Sequence, residues 1–300
     1  MLHFDTLTLA QRSLLHTSFW DAEGHGSEYS FSNLFFWGDQ RLCTQFDRPL
    51  ILSRFGNWCA YLYPRTTEFL DDIAEDAKER GVPFRFWGMT RKEADELEAR
   101  FPGRFCIRPM RNSFDYVYDI ERLCELKGKK LQAKRNHCNR FLQNHPHYRV
   151  LPITPELLPL CRQFTEQWYH SHDEENLDGN YDTEKIAIAR AFDHFSDLQF
   201  HGIMLLDGDE LMGFSMGNQI REDTFDVNFE KALPHVNGAY PMVNREFARY
   251  IHTQFPAIRF LNREDDMGIE GLRRAKESYY PDLLLEKYLA EEFVCSTDEL

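Results

Sequence analysis

The feature that most limits the fold of this chain is an order of elements that occurs twice. In the first half, Leu7–Ser18 has a helical pattern, and three short β-like runs follow at Arg41–Phe46, Leu50–Phe55 and Trp58–Tyr63. Thr66-Thr67-Glu68 opens an amphipathic helix to about Arg80, where Gly81 and Pro83 stop it. Phe84–Trp87 is a short strand, Thr90 caps a helix to about Arg100, and Phe105–Pro109 and Phe114–Tyr118 are strands. In the second half, strand Tyr148–Ile153 leads into a helix with Pro155 at its first position, and another helix spans about 182–195. Three strands follow at Phe200–Leu206, Glu210–Ile220 and Thr224–Glu230, the first pair joined by an Asp207-Gly208-Asp209 turn. Helix Tyr240–Gln254, strand Ile258–Leu261, helix Gly268–Tyr279 and strand Leu283–Leu289 complete the chain. Each half thus runs hairpin strands, helix, short strand, helix, strand. That order predicts an α/β (α+β) protein of two copies of one unit, each a mixed, mainly antiparallel sheet flanked by helices. The boundaries expected are a first domain at 1–125, a basic connecting helix at 126–145 and a second domain at 146–300.

Composition narrows the function. Three hundred residues with 42% apolar content can fill two cores. No apolar run approaches the roughly 18 residues of a membrane helix. Seven cysteines without a Cys-x-x-Cys pair suggest reduced thiols in a cytoplasm and no zinc site. The net charge of −14 argues against a broad nonspecific nucleic-acid surface. Against that background, Lys127, Lys129, Lys130, Lys134, Arg135 and Arg140 form a run without a single acid. Lys127, Lys130, Lys134 and His137 have the spacing of one helical face, and such a ridge suits phosphates. The alternative is a solvated helix whose lysines pair with acids elsewhere.

No phosphate-binding P-loop, Gly-x-Gly-x-x-Gly or Gly-x-Ser-x-Gly elbow is present. His170-Ser171-His172-Asp173-Glu174-Glu175 fits no standard metal spacing and reads as a polar loop, so no metal is expected. Two stretches remain. Strand Thr224–Glu230 alternates Phe225, Val227 and Phe229 against Asp226, Asn228 and Glu230, and a Gly238 turn then opens the next helix, a favourable place for an anion. The following strand ends in Asn262-Arg263-Glu264-Asp265-Asp266, and polar strand ends are where α/β folds build sites. Turn capping and ion pairing account for the same residues equally well, and Tyr279 and Tyr280 suit core packing.

Three segments together carry a family resemblance: Leu126–Leu131 with Lys134–His137 and Asn139–Phe141, the turn Asn237–Tyr240, and Leu261–Gly268 with Gly271–Tyr279. The chain resembles the soluble relatives of the lysyl-phosphatidylglycerol synthase C-terminal domain. The resemblance implies a tandem GNAT-like (acyl-CoA N-acyltransferase) fold and kinship with enzymes that move an aminoacyl group from tRNA. It implies an acyl- or aminoacyl-transferase acting on an amine or hydroxyl acceptor: a small molecule, a peptide or a lipid head group. Acyl-CoA or aminoacyl-tRNA would be the co-substrate, with no permanently bound cofactor. The CoA turn of that fold, Gln/Arg-x-x-Gly-x-Gly/Ala, corresponds here to His235–Tyr240, with different residues at its first and last positions. On this basis Glu230 or Asp265 is the expected base or amine-orienting carboxylate, and Asn262 and Tyr240 stabilise the oxyanion. Gly238, Ala239, Asn244, Lys127, Lys130, Lys134, Arg135 and Lys276 would bind the donor and its phosphates, such as a tRNA acceptor stem. The contrasting expectation is a non-catalytic module that binds a small anion or a protein on the same scaffold.

Overall fold

The computed structural model describes residues 1–22, 24–171 and 180–293. The His172–Glu175 part of the polar loop lies outside them. Two compact units result: Met1–Phe114 together with the chain from Leu285 onward, and Asp115–Leu284.

The first unit contains β1 (Asp5–Thr6), α1 (Arg12–Phe19), α2 (Phe31–Phe36), β2 (Asp39–Cys43), β3 (Leu50–Phe55), β4 (Trp58–Leu62), α3 (Leu70–Arg80), β5 (Arg85–Met89), α4 (Arg91–Arg100) and β6 (Phe105–Pro109). The second contains β7 (Asp115–Asp119), α5 (Ile120–Glu125), α6 (Gln132–Asn144), β8 (Tyr148–Pro152), α7 (Leu158–His170), α8 (Asn180–Asp193), β9 (His201–Asp207), β10 (Glu210–Gln219), β11 (Thr224–Ala232), α9 (Ala239–Gln254), β12 (Phe260–Asn262), α10 (Glu270–Glu277) and β13 (Leu283–Leu285). The chain then returns to the first unit as β14 (Tyr288–Glu292). The sheets run β1-β2-β3-β4-β5-β14-β6 and β13-β7-β12-β11-β10-β9-β8. Each is mixed and mainly antiparallel and includes a parallel pair, β4–β5 in one and β11–β12 in the other.

Local chemistry explains the element ends. Thr90 and Glu93 form a capping box at the start of α4, each side chain taking the other's backbone N–H. Gly81 ends α3 in a left-handed conformation at φ 66°. Helix α2 lies outside the elements expected from sequence: the Ser30 hydroxyl accepts the Asn33 N–H and starts it.

Three expectations need correction. The boundary at 125 is one. Strand β7 pairs with β12, and Tyr116 and Tyr118 are buried in the second unit's core. The division therefore falls at Asp115. The last strand is another: Leu283–Leu289 is two strands, and β14 inserts between β5 and β6 in the first sheet. Lys287 comes with it, in a buried ion pair with Glu28 at 2.5 Å. The connecting helix is the third. Leu126 (φ 51°) and Gly128 (φ 89°) take left-handed backbone, so α6 begins only at Gln132. Lys127 and Lys130 precede it and share no helical face with Lys134 and His137. Helix α6 packs through Cys138 and Phe141 into the second unit's own core, which also holds much of α9.

The Glu28–Lys287 pair tests the return of the C-terminal strand. Removing one partner of a buried ion pair strands a charge and costs roughly 3–5 kcal/mol. Lys287→Met is expected to lower unfolding free energy in urea by about that amount, and Glu28→Gln added to it to recover part of the loss. A loss under about 1 kcal/mol would place Lys287 in solvent.

Candidate active site in the second unit

The site is built where two parallel strands part. Strands β11 and β12 pair over three residues only, from Thr224–Phe260 to Asp226–Asn262. Strand β12 then stops, while β11 runs on to Ala232. A β-bulge lies in β11 opposite Gly217, where three steps along β11 match two along β10. Gly217 is required there, because a Cβ would sit 1.8 Å from the Asp226 carbonyl oxygen. The bulge changes which side chains face α9. Phe225 and Val227 face its core before it, and Ala232 does so after it. Glu230 moves with Ala232 to the α9 side, and Lys231 points away, onto Glu184 at 2.8 Å. The uninterrupted alternation expected from sequence would have left Glu230 beside Asp226 and Asn228, which instead hydrogen-bond each other at 3.0 Å.

Glu230 is the centre of the resulting cluster. One carboxylate oxygen accepts from Arg263 Nη2 at 2.9 Å, and the other from Asn244 Nδ2 at 3.2 Å. The side chains of Arg263 and Glu230 are only 13% and 11% exposed, so the pair is largely out of water. The guanidinium lies 5.0 Å from the Tyr279 ring centre and 5.7 Å from that of Tyr118. The Lys134 ammonium lies over the same Tyr279 ring at 4.2 Å. Burial opposes the Arg263 charge, but Glu230, Tyr118 and Tyr279 together outweigh it and hold the pKa above the ordinary guanidinium value. Burial, and then Arg263 itself, push the Lys134 pKa below that of an ordinary lysine. Three polar atoms around this pair are buried without a hydrogen-bond partner among the described residues: Arg263 Nη1, Asn244 Oδ1 and the hydroxyl of Ser215, which faces Glu230 in the β10–β11 register. Buried polar atoms are rarely left so, and an unpaired guanidinium donor beside an amide oxygen and a hydroxyl suits a polar ligand.

The other expected residues are engaged in different ways. Asn262 is fully buried; it donates to Asp115 at 2.8 Å and accepts the Glu264 N–H at 2.8 Å. Asp265 accepts the Met267 N–H at 3.2 Å. Lys276 is buried and donates to the carbonyls of Arg263 and Asp265, with a pKa lowered by that burial. These three hold the loop that carries Arg263. Asp266 anchors the same loop, taking hydrogen bonds from Tyr116, Arg273 and the Gly268 N–H. The structure thus brings Glu230, Asn244 and Lys134 together. Arg263, the key partner, was absent from the expected set; being the sole cation in Asn262–Asp266 was the available signal. Tyr279 belongs to the core as expected, and it also floors the two cations.

The Gly238 turn is closed by protein. Gly238 starts α9 at φ 88°, and a Cβ there would sit 2.3 Å from the His137 carbonyl oxygen and 3.0 Å from Phe141 of α6. Ala239 is buried and its N–H bonds Val236 at 3.1 Å, Pro241 has no N–H, and Met242 bonds Gly238 at 3.0 Å. Tyr240 tucks inward: its hydroxyl accepts from Trp168 Nε1 at 3.1 Å, and burial pushes its pKa up to about 12. Among the basic residues, Lys127 pairs with Glu125, and Arg135 donates to the carbonyls of Leu126 and Gly128. Lys130 is exposed, with its ammonium over Tyr280 at 5.2 Å.

The family model for the C-terminal part of phosphatidylglycerol lysyltransferase matches residues 21–291. The chain belongs to this family. A conserved protein of unknown function from Bacteroides thetaiotaomicron VPI-5482 is 34% identical over 98% of this chain and 100% of its own, with a TM-score of 0.89. L-PGS from Bacillus licheniformis shares the fold at 16% identity, over 92% of this chain and 90% of its own, with a TM-score of 0.60. An uncharacterised protein of Mycoplasmoides gallisepticum is 25% identical over 184 residues, or 60% of this chain; the match spans just over half, 56%, of that relative. This chain's fold is two mixed sheets flanked by helices. Among the described residues no helix is long and apolar enough to cross a membrane.

The Asp266 anchor has a pH signature. Burial would raise its pKa, but Arg273, Tyr116 and the Gly268 N–H together depress it well below the ordinary carboxylate value. A depressed folded pKa gives stability that is complete above the unfolded value of about 3.9 and is lost as pH falls through the folded one. Wild-type stability is therefore expected to fall below about pH 4, and Asp266→Asn to be less stable at pH 7 with a flatter acid limb. Parallel wild-type and variant curves in urea unfolding between pH 2 and 7 would contradict this role.

Proposed function

We propose that this protein transfers an aminoacyl group from tRNA to an amine or hydroxyl acceptor, with the chemistry at the Glu230–Arg263 cluster. The observation that carries the reading is the set of unpaired buried atoms, Arg263 Nη1, Asn244 Oδ1 and Ser215 Oγ, around one carboxylate. Glu230 would hold the substrate ammonium, and Asn244 Oδ1 would accept a hydrogen from the same group. Arg263 Nη1, with Lys134, would donate to the carbonyl oxygen as it becomes an oxyanion. The acceptor nitrogen or oxygen forms the new bond to the carbonyl carbon, the ester bond to the ribose breaks, and the acceptor's proton ends on the ribose hydroxyl. The cytoplasm, where charged tRNA is made, fits the six unpaired cysteines among the described residues.

The closed Gly238 turn supports aminoacyl-tRNA over acyl-CoA as the donor. A CoA diphosphate needs close approach to free backbone N–H groups, and here α6 occupies that approach. Lys127, Lys129, Lys130 and Arg140 are exposed and would meet the tRNA backbone. One observation favours a non-catalytic binding module instead: Glu230 is already paired with Arg263, the alternative base Asp265 accepts the Met267 N–H, and Asn262 donates to Asp115.

Binding separates the donors. Acetyl-CoA is expected to leave the melting temperature unchanged, and charged tRNA to bind with a steep salt dependence. Replacing Lys127, Lys129, Lys130 and Arg140 by Ala should reduce the slope of log K against log salt by about 3. A melting shift with acetyl-CoA, or an unchanged slope, would count against this donor.

A further inference from the structure

The first unit has polar chemistry that the transferase reading does not use. Two of its cavities, of about 550 and 330 Å3, share Arg65 and Tyr63 in their walls. The larger is in the size range of small-molecule sites and is also lined by Thr66, Thr67, Thr90 and Arg100. Its acids are engaged. Glu93 accepts from buried His25 at 2.9 and 3.1 Å and from the N–H and hydroxyl of Thr90, both at 2.9 Å. Glu96 is exposed and pairs with Lys92 at 3.8 Å.

The two arginines are less committed. Arg100 has a ring contact with Phe101 and no carboxylate partner among the described residues. Arg65 reaches the Ser18 and Asp21 carbonyls at 3.3 and 3.4 Å and the exposed Asp21 carboxylate at 3.4 Å, all long for such bonds. Its side chain is nonetheless only 20% exposed. Its backbone lies at φ 59°, where glycine would be unstrained. Strain kept at a residue with an under-used guanidinium marks a ligand clamp.

The geometry points to a second ligand site in the first unit, for a small phosphate monoester. Arg65 and Arg100 would grip the phosphate with the Thr66 and Thr67 hydroxyls, and the organic part would fill the larger cavity. Several donors in the wall of one cavity suit the three oxygens of a phosphate better than a carboxylate's two. This site stands independently of the transferase reading.

Calorimetric titration of the whole chain with inorganic phosphate, ribose 5-phosphate and acetate tests it. Both phosphates are expected to bind saturably, the ester more tightly, and acetate at least about tenfold more weakly. Arg65→Gly should lose at least about tenfold in ester affinity and melt within about 2 °C of wild type, since glycine takes this φ without strain. Arg100→Ala should lose a comparable amount of affinity, and Glu230→Gln none. Absence of saturable phosphate binding, or ester affinity unchanged in Arg65→Gly or Arg100→Ala, would overturn the site.

Discussion

The second unit depends on one interaction, the buried ion pair between Glu230 and Arg263. Each partner is brought there by a specific device. The bulge opposite Gly217 turns Glu230 toward α9, and the loop after β12 presents Arg263 over two tyrosine rings. Such a pair is a poor way to gain stability, because its desolvation offsets most of the attraction, and apolar residues of equal volume often do better. Its retention beside Asn244, Lys134 and three unpaired buried atoms fits a requirement for charge at that point.

The loop that carries Arg263 is held from several sides. Asn262 ties it to Asp115, Asp266 to Tyr116 and Arg273, and Lys276 caps two of its carbonyls. Two of those anchors, Asp115 and Tyr116, belong to β7, and so does Tyr118 beneath the guanidinium. The first half of the sequence thus supplies the strand on which the second unit's site rests. In return the end of the chain supplies β14 to the first unit's sheet. Neither sheet can be completed from its own half.

Much of this was legible in the sequence. Element order, the Thr90 cap, the hairpin at Gly208 and the family resemblance all rest on local patterns, and local patterns survive folding. Glu230, Asn244 and Lys134 were singled out and do meet. What could not be read depends on distant partners. Nothing local tells β7 that its neighbour is β12, or divides Leu283–Leu289 between two sheets. The bulge shows in sequence only as a glycine. The basic run fits a helix by spacing, yet Leu126 and Gly128 adopt left-handed backbone and break it. The Gly238 turn has a glycine because the His137 carbonyl approaches closely, and the same need arises whether the neighbour is a diphosphate or a helix.

The most direct test is a single-turnover assay of loss of the labelled aminoacyl group from charged tRNA, with candidate acceptors present. The account predicts transfer by the wild type, and a rate at least about a hundredfold lower for Glu230→Gln in a variant that circular dichroism shows to be folded. Equal transfer by folded Glu230→Gln, or transfer from acetyl-CoA in place of charged tRNA, would contradict it.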